Sequence, residues 1–324
     1  MTTARAHVFD PHNAAAYHCY SRCVRGAMLC GTDPISDGTL VHRRDWIESR
    51  IFNLCESFAV SLFAWAIMGN HHHLILVVDP VLPQAWNDLE VARRWCRLTQ
   101  IPGTTKDPEK LEREVANLVR NQEKLEVKRL RLGSLSWFMR CLNEGIARRA
   151  NREDGCTGRF WEGRYDCQNL LDERAMLAGM AYADLNPIRA GISHELKDSH
   201  YTGIHRRLNL LTNEVSDAQA PLRALAGPMG TFAPDLSNRQ YIDLVDWMGR
   251  YQRPGKAAIH AAAPPALALT QYQPSDWLEF SANIQRRFGS AVGSQAALTA
   301  HARSHQRSWL RGIGLARELE PPRK

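Results

Sequence analysis

Two β-rich runs, Phe58–Met68 and His71–Val78, are separated only by Gly69-Asn70, a pair suited to the positive-φ positions of a tight turn. So short a link commits the two runs to a β-hairpin, and the rest of the chain must be arranged around it. The first run is the longest apolar stretch in the sequence. It contains Ser61 and is about half the ~20 residues that a membrane span needs. Met1–Pro11 holds no apolar core of a secretion signal, so a soluble, cytoplasmic protein with no membrane partner is expected.

The flanking segments extend this hairpin into an α+β pattern. Tyr17–Arg25 reads as a strand. From His42 to Phe58, Ile47, Ile51, Leu54, Cys55 and Phe58 recur at helical spacing. Past Asp79-Pro80, Gln84–Thr99 is expected to be helical. Lys106–Arg131 is highly charged, with only a sparse stripe of Leu111, Val115, Leu118, Leu125 and Leu130; a solvated helix or helical hairpin is favoured over a binding arm. Ser134–Arg152 is amphipathic, with Arg140, Arg148, Arg149 and Arg152 on its outer face. Gly155–Leu171 reads as loop and strand, and Asp172 is a good N-cap for a helix that Pro187 stops.

Beyond Ile192 the texture changes. Pro221, Pro228 and Pro234, and then Ala261–Ala266, mark loose connectors between short helical patterns at Tyr241–Tyr251, Ser275–Phe288 and Gln295–Leu319. The expected organisation is an α+β core over residues 1–195, with a charged helical insertion at about 84–131, and a basic, mostly helical region over 196–324. With 324 residues, 44% hydrophobic and 23% charged, the composition excludes disorder, collagen and coiled coil. The eight cysteines form no CxxC pair and are expected to be buried or half-buried free thiols. The net charge of +7 suggests a polyanionic partner and is unevenly placed: from Gln285 onward there are eight basic residues against Glu318 and Glu320.

Three segments could carry chemistry. In Asn70-His71-His72-His73, side chains alternate across a strand, so His71 and His73 project from one face roughly 7 Å apart at Cα, with His72 on the other. Two imidazoles so placed can share a divalent metal, or they can be a polar patch at a strand start. In Tyr182-Ala183-Asp184-Leu185-Asn186-Pro187, Tyr182 and Asn186 are one helical turn apart, and the Asn186 amide oxygen could be a third metal ligand. Pro187, however, disfavours helical geometry at Asn186. Gly158-Arg159-Phe160-Trp161-Glu162-Gly163-Arg164-Tyr165 interleaves guanidinium groups with aromatics, which suits single-stranded nucleic acid or a twisted strand with cation–π pairs.

Taken in order, Tyr17-His18, Ser21-Arg22, Met68–Leu76, Gly158–Tyr165 and Tyr182–Gly191 resemble the REP-associated tyrosine transposases, a branch of the single-tyrosine HUH transposases. The resemblance runs from about Tyr17 to Ile192. It implies a ferredoxin-like antiparallel sheet with packed helices, His71 and His73 as metal ligands for Mg²⁺ or Mn²⁺, Tyr182 as nucleophile and Asn186 as the residue completing the metal site. It further implies nicking and rejoining of single-stranded or hairpin DNA, of the REP-palindrome type, through a 5′-phosphotyrosine. A homodimer stays open. Two features depart from the family: His72 stands where a bulky hydrophobic residue is usual, and the insertion exceeds a minimal core. The expected DNA contacts are Arg22, Arg148, Arg149, Arg152, Arg159, Trp161, Arg164 and Arg189. Arg303, Arg307 and Arg311 are expected on one helix face against phosphates. The alternatives are a domesticated hairpin-binding protein that no longer cuts and, less favoured, a zinc hydrolase using the same histidines, for which no HExxH-type partner is present.

Overall fold

The computed structural model describes residues 8–24, 29–30, 40–98, 107–213, 217–228, 232–251 and 262–320. Strands β1 (Ala15–Arg22), β2 (Val60–Ile67), β3 (His71–Val78), β4 (Asp166–Leu170) and β5 (Ala291–Val292) form one sheet in the order β2-β3-β1-β4-β5. The first four strands pair antiparallel, and β5 adds to β4 in parallel. Helices α1 (His42–Ser57), α2 (Asp88–Leu98), α3 (Pro108–Val119), α4 (Gln122–Leu132) and α5 (Leu135–Glu153) precede β4. After it come α6 (Glu173–Asp184), α7 (Asn186–Arg189), α8 (Gly203–Thr212), α9 (Asn238–Tyr251), α10 (Leu267–Thr270), α11 (Pro274–Ala282), α12 (Gln295–Ser304) and α13 (Ile313–Leu319). The chain is thus α+β, built on a mixed five-stranded sheet. No helix among the described residues is long and apolar enough to cross a membrane.

The sheet is buried on both faces because successive side chains point to opposite sides and both sides are covered. Leu74 and Leu76 join Ile47, Ile51 and Leu54 of α1 and Phe138, Leu142 and Ile146 of α5. Ile75 and Val77 face the other way, onto Met176, Met180 and Ala183 of α6. Each such side chain contributes on the order of 1.5–3 kcal/mol by leaving water. Alternation therefore assigns His71, His73, His18, Tyr20 and Gln168 to the α6 face, and His72, Ser21 and Cys167 to the α5 face.

The hairpin turn differs from expectation, since neither Gly69 nor Asn70 takes positive φ. The turn is instead held from outside: Leu29 and Cys30 donate to Gly69 O, and Cys23 donates to Asn70 O. The charged insertion is a helical hairpin, α3–α4, fastened by the buried Arg129. That side chain donates to Pro83 O (2.9 Å), Trp86 O (2.5 Å) and Asp88 Oδ1 (2.6 Å). None of the eight cysteines forms a disulfide; Cys141 and Cys167 are half-buried, and only Cys156 is exposed.

The C-terminal elements enclose the same core as α6, with Trp277, Phe280, Val292, Leu298 and Leu315 among its members. The helical pattern over Gln295–Leu319 is not one helix. It breaks between Ser304 and Ile313, and Gly312 sits at φ 110°, where a Cβ would be 2.3 Å from Phe288 Cδ1. Only glycine fits that turn. Helix α8 and strand β5 were not anticipated from periodicity.

Candidate active site

Helix α6 begins at Asp172, whose side chain accepts from Ala175 N at 2.8 Å. At Gly179 an added Cβ would lie 3.1 Å from Leu170 Cδ1 and 3.3 Å from Ile75 Cδ1, so the helix rides close to the strands. Tyr182, three residues on, thereby reaches the histidines. Its ring centroid is 5.6 Å from that of His73, at 79°, and 5.7 Å from that of His18. The Tyr182 hydroxyl donates to Gln285 Oε1, just beyond α11.

His71 and His73 meet edge to face with centroids 5.0 Å apart. His71 is half-exposed and lies 2.7 Å from Asn70 Oδ1 through Nδ1. His73 is buried, and its Nδ1 shares a 2.9 Å hydrogen bond with His18 Nε2, while His18 Nδ1 meets Gln168 Oε1 at 3.2 Å. Burial holds His71 and His18 down to about 4 and His73 well below the ordinary imidazole range, reinforced for His71 and His73 by neighbouring cations and histidines. All three rings are therefore neutral at pH 7, the form in which imidazole can donate a lone pair to a metal.

Asn186 does not continue α6. The helix ends at Asp184, Leu185 turns at φ −87° and ψ 0°, and Asn186 opens α7 with Pro187 in its first turn, where a missing N–H costs nothing. The helical step between Tyr182 and Asn186 is interrupted at Leu185, and Pro187 has no N–H to bond back into α6; Asn186 itself is helical, although it precedes a proline. Asn186 is buried, and its Nδ2 has no hydrogen-bond partner. Among the described residues, no three His, Cys, Asp or Glu side chains are grouped to hold a metal. A third protein ligand would have to be an oxygen, which Asn186 Oδ1 would supply; the unpartnered Nδ2 is an N–H donor and does not ligate, so the fit to a divalent ion rests on the two neutral imidazoles and that oxygen.

The α7 turn also brings Arg189 back over the site. Its Cζ lies 3.9 Å above the Tyr182 ring centroid, and its Nη1 is buried without a partner. Beside these groups runs a cleft of about 550 Å³, lined by Tyr20, Arg22, Arg164, Gln285 and Arg311 among others. Arg22 faces the cleft because the register pairs it with His71.

The other expected contacts are spread more widely. Trp161 is buried with its indole N–H on Asn143 O (2.9 Å) and its ring 5.5 Å from His72, so it is a core side chain of the α5 face and not an open stacking platform. Arg159 folds back to donate to Trp161 O and Glu162 O. Arg148 pairs with Glu144, Arg149 lies over Trp46, and Arg152 is exposed near the end of α5. Arg303, Arg307 and Arg311 do not share a helix face, because α12 ends at Ser304; of the three, Arg311 lines the cleft. His72, on the opposite face, shares a 3.2 Å hydrogen bond with Asn143 Oδ1. His18, Tyr20, Gln168 and Gln285 were not singled out for roles from sequence. His18 alone stood within a segment that carried the family resemblance; the other three converge through register and the C-terminal fold.

No family model matches the chain, and no curated protein matches it. Among solved structures, a REP-associated tyrosine transposase bound to a REP hairpin is similar over 72% of this chain and 97% of the other, with 12% of residues identical and a TM-score of 0.35. No residue role is transferred at that distance.

Proposed function

We propose that the protein is a metal-dependent nuclease and strand transferase that nicks and rejoins single-stranded or hairpin DNA, with Tyr182 as nucleophile. The observation that carries this reading is the meeting of Tyr182, His71 and His73 on one side of the sheet, with Arg189 stacked on the tyrosine. The succession β1-α1-β2-β3-α5-β4 is the split βαβ order expected of a ferredoxin-like core, which supports the same reading.

In this reading Arg189 Nη1 and the arginines of the cleft take the DNA phosphates, and Gln285 orients the phenol. The Tyr182 oxygen forms a bond to phosphorus as the bond to the 3′ oxygen breaks. The proton lost by the phenol is matched by the one gained by the departing 3′-OH. A second 3′-OH reverses the exchange, and since one phosphodiester replaces another, no nucleotide hydrolysis is needed. Mg²⁺ or Mn²⁺ held by His71, His73 and Asn186 would polarise the scissile phosphate and offset its developing charge.

Incubating the full chain with a hairpin oligonucleotide bearing a single-stranded flank and Mn²⁺ should yield a covalent protein–DNA band on a denaturing gel. Tyr182→Phe should remove it, and an undiminished band in that variant would overturn the assignment. A second reading, a hairpin-binding protein that no longer cuts, draws support from the lack, among the described residues, of a three-ligand His/Cys/Asp/Glu group. Hairpin binding independent of metal, with no adduct under Mg²⁺ or Mn²⁺, would select it.

A further inference from the structure

The proton on His73 can be located from its neighbours. Gln168 Nε2 lies 2.9 Å from Ile284 O and 2.8 Å from Gly289 O, and two carbonyls can only accept, so the amide nitrogen occupies that position. Gln168 Oε1 is thereby turned to His18 and can itself only accept. The proton of neutral His18 must then sit on Nδ1, which leaves a lone pair on Nε2. His18 Nε2 is 2.9 Å from His73 Nδ1, so His73 donates from Nδ1 and its Nε2 is unprotonated. Because this contact uses His18 Nε2, and Nδ1 is held by Gln168, His18 has no nitrogen left to bind a metal. The register builds the chain of contacts: Gln168 is directly opposite His18, and His18 is diagonal to His73 across β1 and β3.

We propose that Gln168 and His18 are positioning residues that fix His73 in its Nδ1–H tautomer and aim the Nε2 lone pair at a divalent cation, with the Ile284–Gly289 loop as their anchor. The proposal rests on the reading of His71 and His73 as metal ligands given above. It assigns the C-terminal region a part in the site apart from charge. The loop that fixes the Gln168 amide also carries Gln285, which holds the Tyr182 hydroxyl. Ligand tautomer and nucleophile orientation are therefore both set by one segment more than a hundred residues from either.

Two measurements on the full chain test this. Long-range ¹H–¹⁵N correlation spectra of the metal-free protein should show His73 protonated at Nδ1; a proton on Nε2 would overturn the proposal. Titration with Mn²⁺, read as loss of the free-ion electron paramagnetic resonance signal, should give an affinity tenfold to a hundredfold weaker in His18→Phe, the usual cost of removing an outer-shell partner. His18→Gln, whose side-chain oxygen can accept from His73, should recover most of the loss. Wild-type affinity in a folded His18→Phe would also overturn it. If that variant does not fold, His18→Gln and the tautomer spectrum still decide. If the wild type binds no Mn²⁺, the metal reading fails while the spectrum continues to judge the relay.

Discussion

The Tyr182 hydroxyl donates a 2.5 Å hydrogen bond to Oε1 of Gln285, a residue 103 positions later in the chain. An amide oxygen cannot take the proton away, so its part in the proposed reaction is to aim the phenol. Gln285→Ala should slow covalent adduct formation about tenfold, within the range that small misplacements of a nucleophile cost. Hairpin affinity, measured by fluorescence anisotropy, should hold. An equal loss in both quantities would mean that Gln285 acts on DNA instead.

Arg189 presents a different balance. Its guanidinium covers the Tyr182 ring, yet Nη1 is buried without a partner, a condition that costs stability unless a ligand supplies the acceptor. Arg189→Met keeps an apolar cover over the ring and removes the orphaned donor. Thermal stability should be unchanged or higher, while adduct formation falls by about a hundredfold, as expected on losing a donor to a reacting oxyanion. A large drop in melting temperature with full adduct yield would make Arg189 a structural residue.

Which parts of this arrangement were legible follows from how far each signal reaches along the chain. Alternation within His71-His72-His73 was enough to separate the first and third histidines from the second. Helices α1 and α5 were visible because their apolar positions recur at helical spacing, and α6 because Asp172 caps its start and Pro187 marks its end. His18 and Gln168 acquire their relation to His73 only through strand register, and Gln285 only once α11 is packed against α6; no local pattern encodes either. The break before α13 depends on Gly312 against Phe288, a contact between segments. Trp161 looked like a stacking residue because composition cannot tell which way a ring turns.

Asp184 was passed over in the sequence, although it sits between Tyr182 and Asn186. It is fully buried, accepts from Ile204 N (2.9 Å) and Tyr241 OH (2.5 Å), and so pins the end of α6 to α8 and α9. Burial raises its carboxyl to about 7, against the hydrogen bond from Tyr241, the charge of Arg207 and backbone donors. In the unfolded chain an aspartate ionises near 3.9. The contribution of its proton is thus fully present below about pH 4 and is lost as pH rises through about 7, on the order of a few kcal/mol. The histidines act oppositely: His18, His71 and His72 are lowered to about 4 by burial, so their contribution is present above about 6.5 and lost as pH falls through about 4. Asp184→Asn isolates the carboxyl. In urea unfolding, the variant should lose less stability than the wild type between pH 5 and pH 8. An identical difference between the two proteins at both values would show that Asp184 is ionised throughout.

The basic C-terminal stretch can now be divided. Removing everything from Gln285 onward would strip Phe288, Val292, Leu298 and Leu315 from the core that encloses α6, and would take Gln285 with it, so truncation cannot separate charge from folding. Single neutralisations can. Arg311 and Arg164 line the cleft that reaches Gln285, whereas Arg303 is exposed on α12 and does not line it. If DNA lies in the cleft, Arg311→Gln and Arg164→Gln should each weaken hairpin binding and lower the slope of log affinity against log salt by about one, as for the loss of one phosphate contact. Arg303→Gln should leave both unchanged. The converse pattern, with slope lost at Arg303 and kept at Arg311, would place the nucleic acid along α12 and away from Tyr182.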